Sequence, residues 1–250
     1  VVETSLGAIA EFAPYSYQLI NGVETEVATS YELDGDIVTF NFPDGYDNNY
    51  KLVIDPSLVA STYTGSVSDN WGFTAAHNSS GEMVVAGAAS GAAYPTSVGA
   101  FQTVWNGATS IPTGGLASDI TVSVFSSDGT TLISSTYIGG TDYETAHSVA
   151  VDQTTGDIYL FGKTRSTDFP STVGAFDVTQ NGGTSDIFVA RLNSTLTALT
   201  ASTYVGGTGI DGANVDENFA GTANTKFSYG DSHRGQLIID GTDVYVASST

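Results

Sequence analysis

The residues best equipped for chemistry are few. The chain carries three histidines (His77, His147 and His233), no cysteine, and 27 acidic against 6 basic side chains. Without cysteine there are no disulfides, thiol nucleophiles or thiolate metal sites. His233, in "YGDSHRG", is the one histidine with both an acidic and a basic residue as close sequence neighbours, Asp231 and Arg234. His77 takes a strand-end position where the chain elsewhere places Asp152 and Asp240, so it reads as a turn residue. His147, just after Glu144, reads as the polar rim of a strand. No G-x-S-x-G elbow, H-E-x-x-H pair, phosphate loop or dinucleotide glycine pattern is present, and "SSDGTT" (126–131) reads as a hairpin turn around Asp128-Gly129. No catalytic residue is assigned on this reading, and the chain is not expected to be an enzyme.

Metal chemistry would have to use oxygen. Calcium takes six to eight oxygen ligands from flexible loops, and three acidic loops qualify by composition: Asp44 to Asn49, Gly140 to Glu144, and Asp211 to Asn218. None has EF-hand spacing. The last is the richest, and Asp211, Asp216 and Glu217 are the candidate calcium ligands; the competing reading is a solvated acidic loop. No other cofactor is expected. A formal net charge of −21 excludes phosphate-backbone and anionic-lipid binding by charge, so no nucleic-acid partner is expected. No apolar run reaches the roughly 20 residues of a spanning helix, so no membrane insertion is expected either. The chain begins with Val, which reads as a mature or trimmed product.

The elements that must position these residues come in copies. "STYTGS" (61–66), "STYIGG" (135–140) and "STYVGG" (202–207) place Tyr63, Tyr137 and Tyr204 at successive spacings of 74 and 67 residues. "YPTSVGAF" (94–101) recurs as "FPSTVGAF" (169–176), and "SDITVSVF" (118–125) as "SDIFVARL" (185–192). Each unit reads as four short strands; in the second they fall at 147–152, 157–165, 186–192 and 198–206, with β-branched or aromatic residues between Gly, Asp, Asn and Thr clusters. Four antiparallel strands in a repeat of this length point to all-β propeller blades. On this reading Gly139-Gly140 and Gly206-Gly207 are hinges between blades that use backbone angles closed to other residues. Phe101 and Phe176 are apolar plugs of a loop folded back over the blade.

The stretch "STYIGG…AHSVAVDQTTGDIYLFGKTRSTDFPSTVGAFD" resembles the bacterial SBBP-type β-propeller repeat family. The first unit departs from that pattern at Ser66 and His77, and the third is interrupted by a long insertion after Gly207. The resemblance runs from about Leu52 to Thr250. Residues 1–51 resemble the β-rich segment that precedes such repeats, with hairpin signals at Asn21-Gly22 and Asp34-Gly35. The expected layout is an N-terminal β segment (1–51), which could be the end of a larger β domain, then propeller repeats (52–250) with blades at about 72–140, 147–207 and an incomplete 235–250. "LVIDPSLVASTYTG" would supply an outer blade strand. Because a ring needs about four to eight blades, the chain reads as a fragment of a larger protein.

The resemblance implies a secreted or surface-attached protein of Bacteroidetes-like bacteria, often exported through a C-terminal secretion signal. The function expected is non-catalytic adhesion or protein–protein and matrix contact, with a protein or glycan at the cell surface, or the secretion machinery, as partner. The alternatives are a carbohydrate-binding or carbohydrate-cleaving propeller, using Trp71, Trp105, Tyr143 and Phe227 as loop aromatics, and a passive spacer in a secretion cargo.

Overall fold

The computed structural model of the chain describes residues 2–4, 7–9, 14–35, 37–55, 64–107, 117–212 and 235–248. Tyr63, Asp216, Glu217, Phe227 and His233 lie outside these residues. The chain divides into two compact units, Val1–Ser61 and Thr62–Thr250. Among the described residues all regular structure is β, in antiparallel sheets of two to four strands.

In the first unit, β1 (Val2–Thr4) pairs with β2 (Gly7–Ile9). Strand β3 (Tyr15–Ile20) turns through Asn21 and Gly22, both left-handed (φ 53° and 83°), into β4 (Val23–Glu26); such turns match the twist of paired strands. A hairpin of β5 (Ser30–Asp34) and β6 (Ile37–Asn41) follows, and β7 (Leu52–Asp55) returns to pair with the free edge of β3. Gln18 is buried and fully used: its amide donates to the Asp47 and Tyr50 carbonyls (2.7 and 3.0 Å) and accepts from the Asp47 N–H (2.9 Å). The segment Leu52–Asp55 therefore belongs to the N-terminal sheet and is not an outer blade strand. The boundary moves from 51/52 to 61/62.

The second unit repeats one plan. Strands β8 (Asn70–His77), β9 (Met83–Ala89), β10 (Asp119–Phe125) and β11 (Leu132–Ile138) form an antiparallel meander. Strands β12 (Glu144–Val151), β13 (Ile158–Thr164), β14 (Asp186–Leu192) and β15 (Leu199–Val205) form another in the same order. A hairpin of β16 (Gln236–Asp240) and β17 (Asp243–Ala247) comes third. First strands stack on first strands: β12 packs on β8, and β16 on β12. One apolar core runs through both four-stranded sheets, including Ile120, Val122, Leu160, Phe188, Leu192 and Tyr204.

The first strand of each four-stranded sheet carries a bulge. Gly72 and Thr74 face consecutive residues of β9, leaving Phe73 extra; Ala146 and Ser148 do the same against β13, leaving His147 extra. The residue opposite each bulge is glycine because nothing larger fits. A Cβ on Gly87 would stand 2.0 Å from the Trp71 carbonyl oxygen, and one on Gly162 would stand 2.0 Å from that of Thr145. Just after the bulge, a hydroxyl reaches the next sheet: Thr74 Oγ1 accepts from Val149 N–H (3.2 Å), and Ser148 Oγ from Leu237 N–H (3.1 Å). His147 is consequently buried, edge-on to Phe161, and not on a polar rim.

The turns follow the side-chain chemistry. Asp152 Oδ1 accepts from the Thr154 and Thr155 N–H groups, and Gly156 takes φ 76°. The β10–β11 and β14–β15 turns share one pattern, with Ser126 N–H bonded to Thr131 O and Asn193 N–H to Ala198 O. The left-handed residue is Gly129 (φ 68°) in the first and Leu196 (φ 57°) in the second. A leucine there costs about 1–2 kcal/mol of backbone strain, yet Leu196 is fully buried in the core.

Two substitutions test this account. Ser148→Ala removes the acceptor of a buried N–H and is expected to cost about 1–3 kcal/mol in urea unfolding. Leu196→Gly relieves backbone strain but forfeits a buried leucine, a loss of about 2–5 kcal/mol, so net destabilisation is expected; unchanged or increased stability would contradict the packing role.

Candidate functional site

The chemistry of the described residues concentrates where one sheet hands over to the next. Asp119 opens β10 and Glu144 opens β12, so they come from neighbouring sheets. The Glu144 N–H donates to Ser118 O (2.8 Å) and the Ser118 hydroxyl to Glu144 O (2.9 Å), drawing the two strand starts together. Asp119 Oδ2 accepts from Gln102 Nε2 (2.7 Å) and the Asn106 N–H (2.8 Å), while Oδ1 is buried with no hydrogen-bond partner among the described residues. Glu144 accepts from Thr164 Oγ1 (2.7 Å) and the Gly140 N–H (3.1 Å). Asp119 Oδ1 and Glu144 Oε2 each lie 2.7 Å from the point where a Cβ on Gly139 would stand, so they are no further apart than twice that distance.

The second junction repeats the first. Asp186 opens β14, and its Oδ2 accepts from the Asn181 N–H (2.9 Å). Its Oδ1 is likewise buried, with no partner among the described residues. Asp211 takes the place of Glu144: its N–H donates to Ser185 O (2.9 Å), its carbonyl accepts from Ser185 Oγ (3.0 Å), and its Oδ2 accepts from the Gly207 N–H (2.7 Å). A Cβ on Gly206 would stand 2.7 Å from Asp186 Cγ and 2.8 Å from Asp211 Oδ2. Asp119, Glu144 and Asp186 are fully buried and Asp211 nearly so.

Burial disfavours the charged forms of these acids. It pushes Asp119 up to about 7 against the hydrogen bonds from Asn106 and Gln102. It pushes Glu144 up to about 8, with the neighbouring Asp119 charge adding to the effect. Asp186 is raised by burial and by the charges of Asp211 and Asp177. The chemical capacity of the arrangement is to hold a proton at each sheet junction.

The expected glycine hinges have another cause. None of Gly139, Gly140, Gly206 and Gly207 has a left-handed backbone. The first three are glycine for space: Gly139 and Gly206 lie against the carboxyl pairs, and a Cβ on Gly140 would meet Asp168 Oδ1 at 2.5 Å and Ser166 Cβ at 2.6 Å. Gly207 has open space around it. Tyr137 and Tyr204 are fully buried equivalents. The Tyr137 hydroxyl accepts from the Tyr94 N–H (2.8 Å) and donates to Gly91 O (3.1 Å); the Tyr204 hydroxyl accepts from the Phe169 N–H (2.9 Å) and donates to Ser166 O (2.8 Å). Phe101 is half-buried and packs against the core, its N–H donating to the Leu196 carbonyl (2.8 Å). Phe176 is not: it is 90% exposed.

Of the calcium candidates only Asp211 is described, and it sits in the second carboxyl pair. Among the described residues no group of three or more His, Asp or Glu side chains could hold a metal ion. Trp71 lies within β8 and not in a loop. Trp105 packs against the cluster of Ala89, Tyr94 and Tyr137. Tyr143 bridges to Ser118. Asp119 and Asp186 carried a readable signal, an acid heading a strand in "SDI" twice, but its chemistry depends on partners 25 residues further along.

The first 57 residues match a family described as a domain of unknown function, DUF7948. The match covers the N-terminal sheet through β7. No curated protein matches the chain. Among the described residues no helix is long and apolar enough to cross a membrane.

The carboxyl pairs predict a pH dependence. An acid whose folded pKa lies above its unfolded value binds its proton more tightly in the folded state. It contributes stability below its unfolded pKa and loses it as pH rises through the folded one. The melting temperature is therefore expected to fall between about pH 4 and pH 8, from the ordinary values of these acids to the raised ones of Asp119 and Glu144. Glu144→Gln should flatten that slope, measured by circular dichroism melts at a series of pH values. Asp128, held down to about 2 by bonds from Ser126 and Thr130, titrates outside this window.

Proposed function

We propose that residues 62–250 are consecutive blades of an SBBP-type β-propeller, and that this propeller is a non-catalytic binding module of a secreted or cell-surface protein. One observation carries the reading. Four-stranded meanders follow one another with first strand packed on first strand, β8 to β12 to β16, and each is tied to the next by a hydroxyl after a bulge. Propeller blades stack radially in this way, with their first strands innermost.

The carboxyl pairs support binding over hydrolysis. Glycosidase carboxyls face an open cleft and flank a substrate bond, whereas Asp119 and Glu144 are fully buried under Gly139 at a sheet junction. Their role in this reading is to hold sheets together. Protein partners with basic surfaces suit a module of net charge −21, and such association weakens with salt.

The test is to immobilise the purified chain and challenge it with extracellular matrix proteins, a glycan array and soluble polysaccharides. Saturable, salt-sensitive binding to a protein is the expected result. Binding confined to glycans would move the assignment to a lectin, and release of sugars from a polysaccharide would overturn the non-catalytic reading.

A further inference from the structure

The first sheet junction encloses a space bordered by oxygen. Gly139 has an ordinary backbone conformation, so its lack of a side chain is a matter of room. A Cβ there would stand 2.7 Å from Asp119 Oδ1 and 2.7 Å from Glu144 Oε2. Two carboxyl oxygens, one from β10 and one from β12, therefore face the same methyl-sized volume from neighbouring sheets.

The hydrogen bonds leave one of these oxygens waiting for a partner. The donors Gln102 and Asn106 both go to Asp119 Oδ2, while Oδ1, fully buried and turned toward Gly139, has none among the described residues. A buried acceptor left in this state is costly. Glu144 is held from both sides, by Thr164 at Oε1 and by the Gly140 N–H at Oε2, which fixes its carboxyl beside the space. A third carboxylate lies close: Asp168 Oδ1 would stand 2.5 Å from a Cβ on Gly140, and its charge bears on Asp119.

We propose that the space beside Gly139 is a calcium site, with Asp119 Oδ1 and Glu144 Oε2 as its side-chain ligands. The span fits. Two oxygens on one calcium ion are at most about 5 Å apart, twice a bond of about 2.3–2.6 Å, and these two are separated by no more than twice 2.7 Å. Carboxylate oxygen in a chain without thiols suits a hard cation over zinc or copper. With two side-chain ligands the rest of the shell is main-chain carbonyl and water, as calcium accepts; the site therefore needs no cage of three acids or histidines, and none is found among the described residues. An ion of two charges neutralises both carboxylates, where one proton neutralises one. In the metal-free chain the same place holds the proton described above, and ion and proton compete for it. Because its ligands come from two sheets, bound calcium ties the first sheet to the second.

The probe is calcium itself, titrated calorimetrically into the 250-residue chain after treatment with EDTA and transfer to metal-free neutral buffer. Saturable binding is expected, and calcium well above its dissociation constant should raise the melting temperature by several degrees, since it binds the folded state alone. Glu144→Gln and Asp119→Asn each remove one ligand charge at nearly constant size. Each is expected to weaken calcium binding at least about tenfold, the loss that even an outer-shell partner brings. Circular dichroism without calcium shows which variants keep the fold, and either one suffices. Asp44→Asn, an exposed acid of another acidic loop, is the control and should bind calcium as the parent chain does.

No heat and no melting shift at millimolar calcium, the weakest range of natural sites, would overturn the proposal. Binding kept by Glu144→Gln and Asp119→Asn but lost in Asp211→Asn would also overturn it, by moving the ion to the acidic loop at Asp211. Equal affinity in the parent, Glu144→Gln, Asp119→Asn and Asp44→Asn would reduce it to the general attraction of a chain of net charge −21, and the proposal would fall.

Discussion

The first strand of each four-stranded sheet carries one residue for which its neighbour has no counterpart, and the architecture of the second unit depends on it. The extra residue, Phe73 or His147, can be accommodated only because the facing strand has Gly87 or Gly162 where a Cβ would strike a carbonyl oxygen. A bulge bends the strand and sharpens its twist. Here it brings Thr74 and Ser148 to hydrogen-bonding distance of a backbone N–H in the adjacent sheet. A local irregularity in one sheet thereby sets the position of the next.

The carboxyl pairs form a second tie, with Glu144 at the start of β12, before the bulge. They explain why the chain spends glycine where the backbone angles are ordinary: the space is needed by Asp119, Glu144, Asp186 and Asp211. Burying two acids side by side is costly unless a proton is retained. The tie is therefore chemically conditional, whereas the hydroxyl tie is not. The two kinds of contact give each junction a constant part and a part that responds to its surroundings.

Much of this was legible in the sequence, for identifiable reasons. The strands of the second sheet fall within a few residues of where alternation and turn residues placed them, and β14 coincides with the expected 186–192, because period-two patterning is local. The "DQTTGD" and "SSDGTT" turns were readable because Asp side chains and glycines act on their own neighbourhood. What depends on distant partners was not. Leu52–Asp55 resembles a blade strand, but its partner is β3, more than thirty residues earlier. Phe101 and Phe176 both end the segment "VGAF" and differ in burial because Leu196 meets only one of them. The glycines at 139 and 206 look like hinges until the carboxyls beside them are placed.

The contact between Phe101 and Leu196 also has a direction. One sheet offers a loop and the following sheet offers a turn, and neither surface is complementary to itself. Such a contact is heterologous: it cannot be closed by a two-fold axis, and it propagates from sheet to sheet in one sense only. The two ends of any stack built this way are chemically different, one terminating in a turn and the other in a bare phenylalanine. Two such stacks can therefore join head to tail through this surface, but not head to head.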